Sequence, residues 1–410
     1  MTRMPSQLDR YADSVIWGRI TSACSQPATE IFSDVACSFI SRVSRELLTS
    51  RRYADWPDLI ALGYFSRRAN LERMREHAFN SSRELRLGRG VVLHIAPANV
   101  PVNFAYSFFF GMLAGNVNIV RLPSRQFPQV DELLAIFTNL FRTTDYLETG
   151  HKAVFVRYPS DDDAVTGELS SVADARVVWG GDATVEALRR HPISPRCVDV
   201  NFSDRYSFCS LDADAIARLT DRELERLAHD FYNDSYLFDQ GACSSPRLVV
   251  WRVSAQESIV IAKDRFWRAV RQKVESVYSL SAVDAVDKFT GLCSSLVKIG
   301  SGVRAILDTN LLYIVDIGRI PDSIDNLEGR FGTFYECSVE DLRDLSRFIT
   351  PRFQTLSYFG FSKEELKRFV LGSGVRGLDR VVPVGRALSM SENWDGYDII
   401  RSLSRIVDIQ

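Results

Sequence analysis

The sequence predicts an α/β protein of two domains, the first built on a Rossmann-like parallel sheet. Three observations carry that prediction. At 410 residues the chain is too long to fold around a single hydrophobic core. From Gly90 onward, short apolar runs alternate with stretches of helical spacing, the pattern of a parallel sheet covered on both faces. From about residue 209 the alternation restarts with its own helix signals. The expected domains are 1–208, a helical N-terminal region with the parallel-sheet domain, and 209–385, a second α/β domain. Residues 386–410 form a tail suited to oligomerisation or to bridging the domains.

Residues 1–87 read as helices joined by polar turns, without a recognisable site. Val91–Ala96, Val117–Arg121, Ala153–Arg157, Arg176–Trp179 and Cys197–Val200 are short apolar runs and read as buried strands. Between them, 102–114, 129–142, 161–172 and 182–190 have helical spacing or helix-start residues. In such sheets a ligand sits at the carboxyl ends of the strands, so the turns after Ala96, Arg121 and Trp179 matter most. In the second domain, Thr220-Asp221-Arg222-Glu223 is a capping box. The helix it opens carries Leu224, Leu227, Ala228, Phe231 and Tyr232 on one face. After Asp239-Gln240-Gly241-Ala242-Cys243 comes a β-rich run, Arg247–Val253, and a second box at Ser254-Ala255-Gln256-Glu257 starts another helix.

Composition excludes several classes. With 50 basic and 52 acidic residues the overall charge argues against a nucleic-acid surface or a polybasic membrane face, although a net charge averages over any local patch. The longest apolar run, 102–115, is about 14 residues and too short to span a bilayer. Met1–Glu30 carries charges throughout and has no export-signal core. The 7 cysteines are scattered without a Cys-x-x-Cys pair, which fits a reduced cytoplasm and no structural metal. Gly-Lys, Gly-x-Ser-x-Gly, His-Glu-x-x-His and Gly-x-Gly-x-x-Gly motifs are all missing.

Four segments could carry chemistry. Cys243 occupies a Gly-containing turn between an amphipathic helix and a strand, where a thiolate could attack a carbonyl carbon; a small buried apolar residue is the other reading. Ala96-Pro97-Ala98-Asn99-Val100-Pro101 follows the first strand. Its prolines fix the turn and leave Asn99 as the one polar side chain, either an oxyanion donor or a turn former. Arg121-Leu122-Pro123-Ser124 ends the second strand, where an Arg fork with a small hydroxyl suits a phosphate; a solvent-facing Arg is the alternative. Trp179-Gly180-Gly181-Asp182-Ala183-Thr184 opens a helix whose N-terminus favours phosphate, although Asp182 could serve only as an N-cap and its charge disfavours direct phosphate contact.

Taken in order, these segments resemble the aldehyde dehydrogenase superfamily, and within it the fatty acyl-CoA reductases of LuxC type. Pro97-Ala98-Asn99-Val100-Pro101 is similar to the family's Asn turn, Ala114–Ser124 to its cofactor strand, and Gly241-Ala242-Cys243-Ser244-Ser245-Pro246-Arg247 to its nucleophile segment. Arg330-Phe331-Gly332-Thr333 resembles the superfamily's Phe-Gly-Pro loop, and Asp379–Gly385 with Trp394-Asp395-Gly396 the reductases' ending. The resemblance implies an aldehyde-dehydrogenase-like fold, with a cofactor domain and a catalytic domain bearing the nucleophile.

It further implies that Cys243 attacks a fatty acyl thioester, that Asn99 and the Cys243 N–H meet the oxyanion, and that an aldehyde is formed. Ala96, Pro97, Ala98, Arg121, Pro123, Ser124, Gly180, Gly181 and Asp182 would hold the cofactor. The superfamily's usual Lys is replaced by Arg121, and the Glu of many NAD-using members by Ser124. The pair leans toward NADPH, with NADH as the second candidate. The Glu-Leu-Gly-Gly stretch that holds a hydrolytic base has no counterpart at Val200–Asp204, which fits reduction rather than hydrolysis. The implied donors are acyl-CoA or an acylated carrier or synthetase protein, and the implied assembly is a homo-oligomer. Two other activities remain open at this stage: an aldehyde dehydrogenase working in the oxidising direction, and a non-reducing protein that only accepts an acyl group.

Overall fold

The computed structural model describes residues 14–79, 84–97, 100–253, 256–300, 303–322, 324–372 and 374–410. Ala98, Asn99 and the first two residues of the second capping box, Ser254 and Ala255, lie outside the described residues. The chain forms two compact units. One comprises the described residues up to Ser203 together with Met390–Gln410; the other is Asp204–Ser389.

The first unit begins with helices Ser14–Cys24, Asp34–Thr49, Pro57–Phe65 and Arg68–Phe79. Ser33 caps the second of them by accepting from Ala36 N–H, and Phe39, Ile40, Val43 and Leu47 line its buried face. Its strands are β1 (Leu85–Gly88), β2 (Val91–Ile95), β3 (Val117–Arg121), β4 (Ala153–Val156), β5 (Ala175–Trp179) and β6 (Val198–Phe202). Strands β2–β6 form one five-stranded sheet in the order β4-β3-β2-β5-β6, parallel throughout. Every residue of β2 and β5 is buried, as expected of strands covered on both faces. The strand expected over Cys197–Val200 runs instead over Val198–Phe202. Its polar Asp199 and Asn201 disguise its length in the sequence.

A chain of polar side chains crosses the centre of this sheet. Trp179 Nε1 donates to Ser107 Oγ at 3.0 Å, and Ser107 Oγ lies 2.7 Å from His94 Nδ1. His94 Nε2 lies 3.0 Å from Asn118 Oδ1, and Asn118 Nδ2 donates to Asn116 O at 2.9 Å. One proton arrangement satisfies every member: Ser107 donates to Nδ1, and His94 carries its proton on Nε2. Burial pushes the His94 pKa down to about 4, so the ring is neutral. The chain thereby ties β2, β3, β5 and helix Asn103–Leu113 together. Phe104, Phe108, Phe109 and Phe110 of that helix are fully or almost fully buried, which makes them core.

The second unit holds β7 (Tyr206–Asp212), β8 (Leu248–Arg252), β9 (Arg304–Thr309), β10 (Leu312–Asp316), β11 (Thr333–Val339), β12 (Phe353–Phe359) and β13 (Arg380–Pro383). They form one sheet in the order β13-β12-β7-β8-β11-β10-β9, parallel except where β9 meets β10. A boundary between 208 and 209 falls inside β7. All seven of its residues are buried, Ser207, Ser210 and Asp212 among them. Interspersed polar residues hide such a strand from a reading based on apolar runs. Thr220 and Glu223 form the expected capping box on helix Asp221–Ser235, which buries Leu224, Leu227, Ala228 and Phe231.

The chain then returns to the first unit through β14 (Asn393–Trp394), β15 (Tyr397–Asp398) and β16 (Ser404–Val407). Strand β16 pairs antiparallel with β1, placing Leu85 opposite Val407. The buried Arg86 side chain donates to Ser404 Oγ at 3.1 Å and to Arg401 O at 3.2 Å. Among the described residues no helix is long and apolar enough to cross a membrane, and no group of three or more His, Cys, Asp and Glu could hold a metal.

Candidate active site

In the first unit the carboxyl ends of β2, β3 and β5 open into a cleft of about 580 Å³. Ala96, Pro97, Arg121, Ser124, Gly180 and Gly181 line it. Pro123 and Asp182 sit beside the cleft and do not line it, and Ala98 lies outside the described residues. The lining also includes Ser160, Asp163, Thr166, Thr184 and His191. Of these only Thr184 belongs to a segment singled out from the sequence. The signal was the Asp162 cap, which accepts from Val165 N–H and starts helix Asp163–Ser171 at the cleft edge. His191 Nε2 lies 3.5 Å from Asp163 Oδ1.

The cleft fits a phosphate-bearing cofactor. The Arg121 guanidinium stands 4.8 Å from the centroid of the Tyr158 ring and makes a long 3.5 Å hydrogen bond to Tyr158 O. Its Nε is buried without a partner among the described residues, so this cation has a donor to spare. A Cβ at Gly180 would lie 2.9 Å from Thr184 Cγ2 and narrow the cleft. Gly181, and not Asp182, is the N-cap of helix Asp182–Arg189 and offers no side-chain cap, so the helix presents its positive end to the cleft without one.

In the second unit the thiol turn follows helix Asp221–Ser235. Asp239 and Gln240 take left-handed backbone angles, with φ of 53° and 58°, which swing the chain sharply toward Cys243. The fully buried Gln240 side chain holds the turn. Its Nε2 donates to Pro246 O and Thr333 O, each at 3.1 Å, and its Oε1 accepts from Gly332 N at 2.8 Å and Thr333 N at 3.1 Å. The turn is therefore bolted to the Arg330–Thr333 loop. Gly332 permits this fit: its φ is 80°, and a Cβ would meet Leu311 O at 2.3 Å.

Cys243 itself is half-buried. Ser207 Oγ donates to its carbonyl at 2.7 Å and accepts from Thr355 N–H at 3.2 Å. Gln354, fully buried in β12, donates from Nε2 to Cys243 Sγ at 3.4 Å. An amide donor aimed at sulfur favours the thiolate, the nucleophilic form. The sequence reading missed Gln354, Ser207 and the role of Gln240. Asn99, the expected oxyanion donor, lies outside the described residues.

Comparison with known proteins adds a family and a fold. The family model described as acyl-CoA reductase (LuxC) matches residues 65–276. No curated protein matches the sequence. Among solved structures, a variant of 1-pyrroline-5-carboxylate dehydrogenase from Thermus thermophilus superposes with a TM-score of 0.64 at 12% identity, covering 96% of this chain and 83% of that one. An NAD-dependent aldehyde dehydrogenase from Sinorhizobium meliloti gives 0.65 at 11% identity, over 96% and 86% of the two chains. A Proline Utilization A variant from Bradyrhizobium japonicum gives 0.64 at 14% identity; there the match covers 99% of this chain but only 45% of that one. The fold is that of the aldehyde dehydrogenases.

Proposed function

Because the chain belongs to the acyl-CoA reductase (LuxC) family, an oxidoreductase family, we propose that it reduces a fatty acyl thioester to an aldehyde through an S-acyl intermediate on Cys243. The observation that carries this reading is the Gln354 amide donating to Cys243 Sγ in a turn fixed by Gln240. The thiolate attacks the thioester carbonyl, and its new C–S bond replaces the bond to the departing thiol, which takes up a proton. In the same reading Asn99 and the Cys243 N–H donate to the tetrahedral oxyanion.

The cleft residues Ala96, Pro97, Arg121, Ser124, Gly180 and Gly181 hold the nicotinamide cofactor, with Arg121 and Ser124 favouring NADPH over NADH. When bound, the cofactor would supply the hydride that converts the acyl thioester to the oxyanion of a thiohemiacetal. Cys243 then leaves as thiolate while the former carbonyl oxygen re-forms its double bond, and the aldehyde departs. The Gln354 amide that donates to the thiol cannot activate water as a base.

Intact-protein mass spectrometry with a panel of acyl-CoAs tests the proposal. The expected result is an adduct on Cys243 that NADPH clears with release of aldehyde. Reduction at an undiminished rate by Cys243→Ala would overturn it.

A further inference from the structure

The second unit contains a cavity of about 680 Å³ that borders the thiol turn through Arg247. The volume is in the range of small-molecule sites. Five cations line it: Arg205, Arg247, Lys298, Arg330 and Arg352. Three carboxylates, Asp204, Asp325 and Glu328, face them and leave a surplus of two positive charges.

Two of the cations are already committed. Arg205 pairs with Asp379, and Arg352 lies 4.0 Å from Asp325 and donates to Asn326 Oδ1 at 3.3 Å. Among the described residues, the side chains of Arg247, Lys298 and Arg330 have no hydrogen-bond or ion-pair partner. Burial first, and then the nearby Arg330 charge, disfavour the charged form of Arg247. The Arg247 guanidinium stands 6.0 Å from the ring centroid of the fully buried Tyr206. Two like charges held together around a cavity are a cost that an anion would remove. Ile299, Pro321 and Leu327 add an apolar wall suited to a flat ring.

We propose that this cavity binds the phosphorylated adenosine end of coenzyme A in the acyl donor, a proposal that rests on the thioester reading above. Arginine forks and a lysine suit a ligand bearing several phosphates. The other phosphate-bearing ligand, the nicotinamide cofactor, has its own cleft at the ends of β2, β3 and β5. Arg247 follows Cys243 by four residues and immediately precedes β8, so the cavity lies on the same chain segment as the nucleophile.

The test compares kcat/KM for an acyl-CoA with that for the same acyl group on pantetheine, which lacks the phosphates. The proteins are the wild type and Lys298→Gln/Arg330→Gln, both positions being exposed and so safe for folding. The wild type should prefer acyl-CoA, and the double variant should lose roughly ten- to a hundredfold of that preference. Equal use of the two donors by the wild type would overturn the proposal. So would a variant in which the KM for NADPH rises while donor preference persists, because the cavity would then serve the cofactor. If neither donor gives aldehyde or an adduct on Cys243, the thioester reading itself fails. Calorimetry with adenosine 3′,5′-bisphosphate then still decides the cavity: binding lost in the double variant supports it, and unchanged binding overturns it.

Discussion

Gln354 Nε2 and Cys243 Sγ are 3.4 Å apart, and Ser207 fixes both sides of that pair by bonding to Cys243 O and to Thr355 N–H. Donor and sulfur are thus held by the same hydroxyl, independently of any ligand. Gln354→Leu should slow alkylation of Cys243 by iodoacetamide at neutral pH by roughly tenfold or more, the value of a hydrogen bond to a charged group. An unchanged alkylation rate would show that the amide does not act on the thiolate.

Gln240→Leu removes four hydrogen bonds and strands the Gly332 N–H and two carbonyls in the interior, while Thr333 N–H keeps only Arg330 O. We expect a loss of about 3 kcal/mol in the second unit, read as a lowered urea midpoint. Acylation of Cys243 should slow in the same variant even where it remains folded, since the turn loses its bolt.

His94 titrates at about 4 in the folded protein, below the 6.5 of an exposed imidazole. The unfolded chain therefore binds a proton that the folded chain refuses. Stability from this group is complete above pH 6.5 and is lost as pH falls through 4, by on the order of 3 kcal/mol. Urea titrations at stepped pH should show this acid-side slope, and His94→Gln should flatten it. A wild-type slope identical to the variant's would contradict the assignment.

Ser124 is exposed at the cleft edge, close along the chain to Arg121. Ser124→Glu should repel a 2′-phosphate while leaving a free ribose diol acceptable. The ratio of KM for NADPH to KM for NADH should rise roughly tenfold. A ratio that does not move would place the 2′ position elsewhere.

The parallel sheet of the first unit was legible because each strand is a short apolar run followed by a helix. Strand β7 was not, because Ser207 and Ser210 look like surface residues until neighbours bury them. The pairing of β1 with β16 was equally hidden, since Leu85 and Val407 lie far apart in the chain and nothing local links them. In the candidate site, Cys243 and the cleft glycines stood out by residue type and by position in turns. Gln354 did not, because an amide within an apolar strand looks the same whether it meets a thiol or a backbone group. Gln240 was visible only as a neighbour of Gly241; three of its four bonds go to a loop beyond residue 328.

The closure of β16 on β1 also sets an order of events during synthesis. The second unit is one continuous stretch, whereas the first leaves the β16-facing edge of β1 unpaired until Ser404–Val407 has emerged. A nascent chain stalled before that point carries a sticky edge and an Arg86 still lacking Ser404 and Arg401 as acceptors.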